Sequence, residues 1–225
     1  MSRNLEKDAV EMAAKNQRIL EKGFVLFAGR GIDNVTMSDV AKAAGIGIAS
    51  LYRYYSTKLE LVLAIGTWAW KNYLAEQLEG INSDEQTMKN AAENVDYFLE
   101  AFLDLYRNHK DLLRFNQFFN VYMQSEHVPE EKIHLYNAVI HSLEERFARV
   151  YRQGQEDGTL RNDLTEEEAF STIIHLMLAT VTRYAVGLVY LNRHTDAEKE
   201  LKIQKELLFR WFCLTEDIRF EGGRT

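Results

Sequence analysis

In this 225-residue chain Ser50 carries a hydroxyl that could hydrogen-bond a base or a phosphate. Ile48 and Ala49 supply small apolar surface of the kind that fits thymine methyls. Catalytic constellations are poorer. There is no Gly-x-Ser-x-Gly motif and no glycine-rich phosphate loop. Glu131-x-x-His134 matches half of a di-iron site on a helical bundle, but no other histidine follows a glutamate at that spacing. No catalytic set, metal or cofactor is expected.

The elements that must position these residues read as helices. Thr36-Met37-Ser38-Asp39 has the form of a capping box, which satisfies first-turn amides and starts a helix over residues 37–44. Gly45 is placed to end it in the left-handed conformation, and a second short helix runs over residues 48–54 behind Gly47. Before this pair, residues 8–30 carry the stripe Ala9, Ala13, Leu20, Phe24, Phe27 and Ala28, ending at Gly31. Val40, Ala41 and Ala44 can meet Leu51 and Tyr55, with Phe24 and Phe27 beneath. Two short helices joined through glycine fit a helix-turn-helix at residues 36–54, and they equally fit an ordinary αα-corner.

Six more helical stretches are expected, about nine in all: residues 58–78, 84–108, 110–124, one opened by Pro129, one capped by Thr165, and 196–216. A single proline leaves long helices uninterrupted, since an internal proline costs roughly 3 kcal/mol. The expected class is all-α, and 46% hydrophobic residues suffice for a core. Cys213 lies in an apolar run and reads as a small buried hydrophobe. Residues 2–7 are polar, so a secretory signal is not expected. Residues 169–192 are apolar enough to mimic a membrane span, but Arg183 sits mid-segment, where lipid penalises charge. A helix covered by protein on two sides, in a cytoplasmic protein with no membrane partner, is the expectation.

Net charge is −7, unpromising for a nucleic-acid binder until its distribution is read. Residues 1–60 hold nine Lys/Arg against seven Asp/Glu, and the remainder hold eighteen against twenty-seven. A basic head on an acidic body would keep the body off DNA.

The pattern Thr36-x-x-x-Val40-Ala41-x-x-Ala44-Gly45, followed by Leu51-Tyr52-x-Tyr54-Tyr55-x-x-Lys58, resembles the DNA-binding domain of the TetR/AcrR regulators over residues 19–62. The loop Gly154…Gly158-Thr159-Leu160-Arg161 is similar to the one before that family's penultimate helix. Two positions depart: many relatives place serine at Gly47 and glycine at Ala49, which bears on sequence preference. The resemblance implies a helix-turn-helix domain at residues 1–58 and an effector-binding and dimerisation domain at 59–225. It implies that Tyr52, Tyr54 and Lys58 bind DNA phosphates, with Thr36 contributing from the preceding helix end. Ser38, Gly47, Ile48, Ala49 and Ser50 complete the expected DNA face. It also implies a homodimer through the last two helices, a roughly palindromic double-stranded operator, and repression relieved by a small hydrophobic effector. Candidate effector contacts are Phe98, Phe102, Phe115, Phe119, Tyr122, His141, His175 and Tyr184.

Overall fold

A computed structural model describes residues 2–79, 90–187 and 196–214. The described residues form nine helices: α1 (Ser2–Arg30), α2 (Met37–Ala43), α3 (Ile48–Tyr54), α4 (Lys58–Glu79), α5 (Ala91–Asn108), α6 (Lys110–Ser125), α7 (Glu130–Glu156), α8 (Glu166–Val186) and α9 (Ala197–Phe212). Among them the only strand-like pairing is an isolated bridge between Leu160 and Cys213, so the all-α class stands. The expected α5 start over residues 84–89, and the end of α9 beyond residue 214, lie outside the described residues. Within them, Asn90 caps α5 by accepting from the Glu93 amide at 2.8 Å.

By packing, the chain divides into two compact units, Met1–Glu76 with Asp111–Val139, and Gln77–Lys110 with Ile140 onward. In the first, Ile19, Phe27, Val35, Val40, Leu51, Leu61 and Ile65 close one core with Phe115, Phe119 and Tyr122 of α6. The aromatic face of α6 therefore belongs to the same core as α1–α3. Gly66 on α4 makes this possible: a Cβ there would stand 2.9 Å from the Phe119 ring. On α1 burial begins at Ile19, whereas Ala9 and Ala13 of the expected stripe are exposed. Alanine has too little surface to demand burial, so periodicity over-read that half of the helix.

In the second unit Phe98, Phe147 and Phe170 pack as a trio, with centroids 5.1 Å apart for Phe98–Phe147 and 5.8 Å for Phe147–Phe170. Tyr151 stacks beneath Phe147 and meets Phe212 edge-on. Cys213 is buried as expected, and burial pushes its thiol up to about 12. Lys205 of α9 bridges Asp96 and Glu100 of α5, fastening the two helices.

Thr165 and Glu168 form the cap of α8 reciprocally. Its middle turn, Ile174–Leu178, is a π-turn, which shifts the register of the faces on either side. Ile173, Met177, Val181 and Ala185 go inward, while Leu176 and Val186 are about half exposed. Within one chain α8 is covered on one side. By length and composition it could cross a membrane, as core helices of this kind also can.

Candidate nucleic-acid interface

Thr36 accepts from the Asp39 amide at 3.1 Å, and the Asp39 carboxylate accepts from the Thr36 amide at 2.9 Å. These bonds hold the Asp39 carboxyl below its usual range. Gly45 then takes φ +69, a left-handed value that a side chain would strain, and turns the chain into α3. Gly47 stands at the N-cap of α3 in extended conformation and contributes no side-chain bond. Leu51 is the single buried residue of α3 and pins it to Val40 and the shared core.

Most of the remaining helix faces outward. Gly47, Ile48, Ala49 and Tyr52 are exposed, as are Thr36 and Ser38, and α3 contains no acidic residue. Ser50 is half-buried and accepts from the Arg53 guanidinium at 3.3 Å. Arg53, absent from the expected contact set, is thereby brought onto this face. Lys58, at the start of α4, is half-buried with its ammonium 5.7 Å from the Tyr122 ring centre.

Tyr54 is half-buried against the core, with its hydroxyl 3.5 Å from the Met12 carbonyl. Tyr55 is a core residue as expected, donating to Asn16 Oδ1 at 2.7 Å, and burial raises its phenol. The two tyrosines thus tie α3 to α1. Asn16 was missed, although its place four and seven residues before Leu20 and Gly23 puts it on the inward side of α1.

The candidate effector residues fall in both units. Phe115, Phe119 and Tyr122 are core residues of the first. Phe98 and Phe102 lie 5.8 Å apart in the second, and Tyr184 meets Tyr106 at 6.2 Å with its hydroxyl on Glu200. His141 and His175 do not line an apolar interior in the single chain. His141 is exposed beside Glu144, since its α7 position falls off the Ile133–Tyr136–Phe147 stripe, and His175 is exposed in the π-turn. A recess lined by Glu144, Glu145, Ala148, Arg149, Arg152 and Glu166 carries charged side chains of both signs. His134 Nδ1 lies 2.8 Å from the Glu131 carbonyl, and no group of three metal-ligating side chains occurs among the described residues.

A capped helix, a left-handed glycine turn and a second helix held by one leucine define a helix-turn-helix. Residues 19–65 match the family described as bacterial regulatory proteins, tetR family. The HTH-type transcriptional regulator SAB2452 of Staphylococcus aureus (strain bovine RF122 / ET3-1) is 31% identical over 103 residues, 44% of this chain and 52% of that protein. The chain thus spans about half the length of that curated relative. The fold is similar to the ketosteroid transcriptional regulator KstR2 of Mycobacterium tuberculosis, with TM-score 0.63, 19% identity, and 89% and 95% of the two chains covered. It is similar also to the transcriptional regulator FadR from Bacillus subtilis in complex with stearoyl-CoA, with TM-score 0.67, 17% identity, and 87% and 98% covered.

Proposed function

We propose that this chain is a cytoplasmic, homodimeric repressor that binds a palindromic operator through residues 1–58 and is released by a small hydrophobic effector held in residues 59–225. The observation that carries the reading is the outward face of α3. It presents Ile48, Ala49, Ser50, Tyr52 and Arg53 without a carboxylate, on a chain that is otherwise acidic. Recognition helices enter the major groove with their early residues at base edges, which assigns Ile48, Ala49 and Ser50 to sequence and Tyr52 and Lys58 to phosphates. Tyr54 supports this from behind by holding α3 against α1.

The dimer is supported by the uncovered apolar side of α8 and α9. Leu176, Val186, Ile203, Leu207, Trp211 and Leu214 are all exposed in the single chain. Large exposed apolar side chains gathered into one patch mark an interaction site. Ligand control is supported by kinship: FadR, of similar fold, was solved with stearoyl-CoA. An electrophoretic shift on the DNA upstream of the chain's own gene tests the reading. Saturable retardation that survives excess unrelated duplex supports it, and equal affinity for both duplexes refutes operator recognition.

A further inference from the structure

The first turn of α3 offers a duplex very little that reads hydrogen bonds. Gly47 has no side chain, and among the described residues beyond its chain neighbours nothing lies within 4 Å of where a Cβ would stand. Ile48 beside it is 41% exposed, and Ala49 is exposed as well. Ser50 carries the only polar side chain of residues 47–50. It is half-buried, and its hydroxyl accepts from the Arg53 guanidinium at 3.3 Å, a bond made within the helix. The leading edge is therefore two bare aliphatic side chains.

Hydrogen-bond readout of a base edge needs arginine, lysine, asparagine, glutamine or an acid at that edge, and residues 47–50 hold none of them. The apolar group that projects into the major groove is the C5 methyl of thymine. The setting of Ile48 and Ala49 favours a duplex over an apolar partner. Arg53 lies one turn further along α3, Lys58 opens α4, and α3 carries no acid, so the surroundings complement phosphate.

We infer that α3 reads its operator chiefly through C5 methyl groups, with Ile48 and Ala49 as the contacts, and so accepts 5-methylcytosine where it accepts thymine. The inference rests on the reading of α3 as the recognition helix and adds the chemistry it recognises. The two bases carry the same methyl at the same groove edge and differ at position 4, an acceptor in thymine and a donor in 5-methylcytosine. A side chain that hydrogen-bonds there would reject the exchange, since one buried polar group would lose its partner. Ile48 and Ala49 have no polar group to leave unpaired. A site with cytosine at such a position would gain affinity on methylation, which makes binding responsive to C5 methylation of DNA.

Gel-shift titration of the full chain against the upstream duplex, with one thymine replaced at a time, tests this. Uracil removes the methyl and keeps every hydrogen-bonding group. Cytosine and 5-methylcytosine, each paired with guanine, change the hydrogen-bonding groups without and with the methyl. At least one thymine is expected whose replacement by uracil weakens binding about fourfold, the worth of one buried carbon. At that position cytosine should bind about as weakly as uracil, and 5-methylcytosine should restore the affinity of thymine. Ile48→Ala alters an exposed side chain outside the core and should shrink the uracil penalty at one position. Tyr52→Phe, on the phosphate side, should leave that penalty at its wild-type size. No uracil penalty at any thymine, 5-methylcytosine no better than cytosine, or an undiminished penalty in Ile48→Ala each overturns the inference. Those outcomes leave operator recognition standing if the unmodified duplex is still bound specifically, and loss of that binding refutes both.

Discussion

The short helix α3 and the outer sides of α8 and α9 both leave apolar residues in solvent, and the difference between them is instructive. On α3 the exposed residues are Ile48, Ala49, Tyr52 with its hydroxyl and Arg53, with no acid among them. On α8 and α9 they are large and aliphatic, joined by Trp211, whose ring lies under the Arg161 guanidinium at 3.8 Å. A groove lined with phosphates rewards the first surface, since hydroxyls and cations position a protein on a duplex. Only another apolar surface rewards the second, through area removed from water. On the proposed reading the two surfaces face different partners, and composition distinguishes them better than exposure does.

The comparison can be broken most severely at the second surface. Leu207→Glu combined with Trp211→Glu should turn the dimer into monomers with the fold retained, because both side chains are exposed in the single chain. Sedimentation at micromolar concentration reads this, and an unaltered dimer would place the interface elsewhere. Next comes the anchor of the first surface. Leu51→Ala removes the only buried side chain of α3 and should cost about 2–5 kcal/mol in a denaturant melt, with DNA affinity lost at the same time. A loss well below that range would mean that Leu51 is not what fixes the helix.

Smaller effects sharpen the contrast. Thr36→Ala opens the capping box and should lower stability by about 1 kcal/mol. The carboxyl of Asp39 is depressed in the folded state, so its contribution is present above the ordinary carboxylate range and fades as pH falls through the folded value. The wild type should therefore lose more stability on acidification than Thr36→Ala does, and equal losses would show the cap to be idle. Lys58→Ala, smallest of all, should flatten the salt dependence of DNA binding by about one unit of slope. That corresponds to about fourfold less affinity lost over a fourfold rise in salt, and an unchanged slope removes Lys58 from the phosphate contacts.

The head was legible in the sequence because its signals are local. A threonine three residues before an acid and a glycine after an alanine each act within one turn, so α2 and α3 came out within a residue of their bounds. The contact of the Tyr54 hydroxyl with the Met12 carbonyl was not legible, because the two lie 42 residues apart. Nor was the exposure of His141 and His175 in the single chain, since side-chain chemistry carries no face and the π-turn in α8 moves faces in a way that 3.6-residue periodicity does not anticipate. The joining of α6 to the core of α1–α3 depends on Gly66 admitting Phe119, a tertiary fit that carries no pattern in the sequence.

Hydroxyl-radical protection of the DNA upstream of the chain's own gene tests the role of α3 most directly. Two protected patches are expected, related by symmetry and centred about 10 base pairs or a multiple of that apart, as two recognition helices of a twofold dimer require. Continuous or absent protection by a folded dimer would contradict the assignment of α3 as the reading helix.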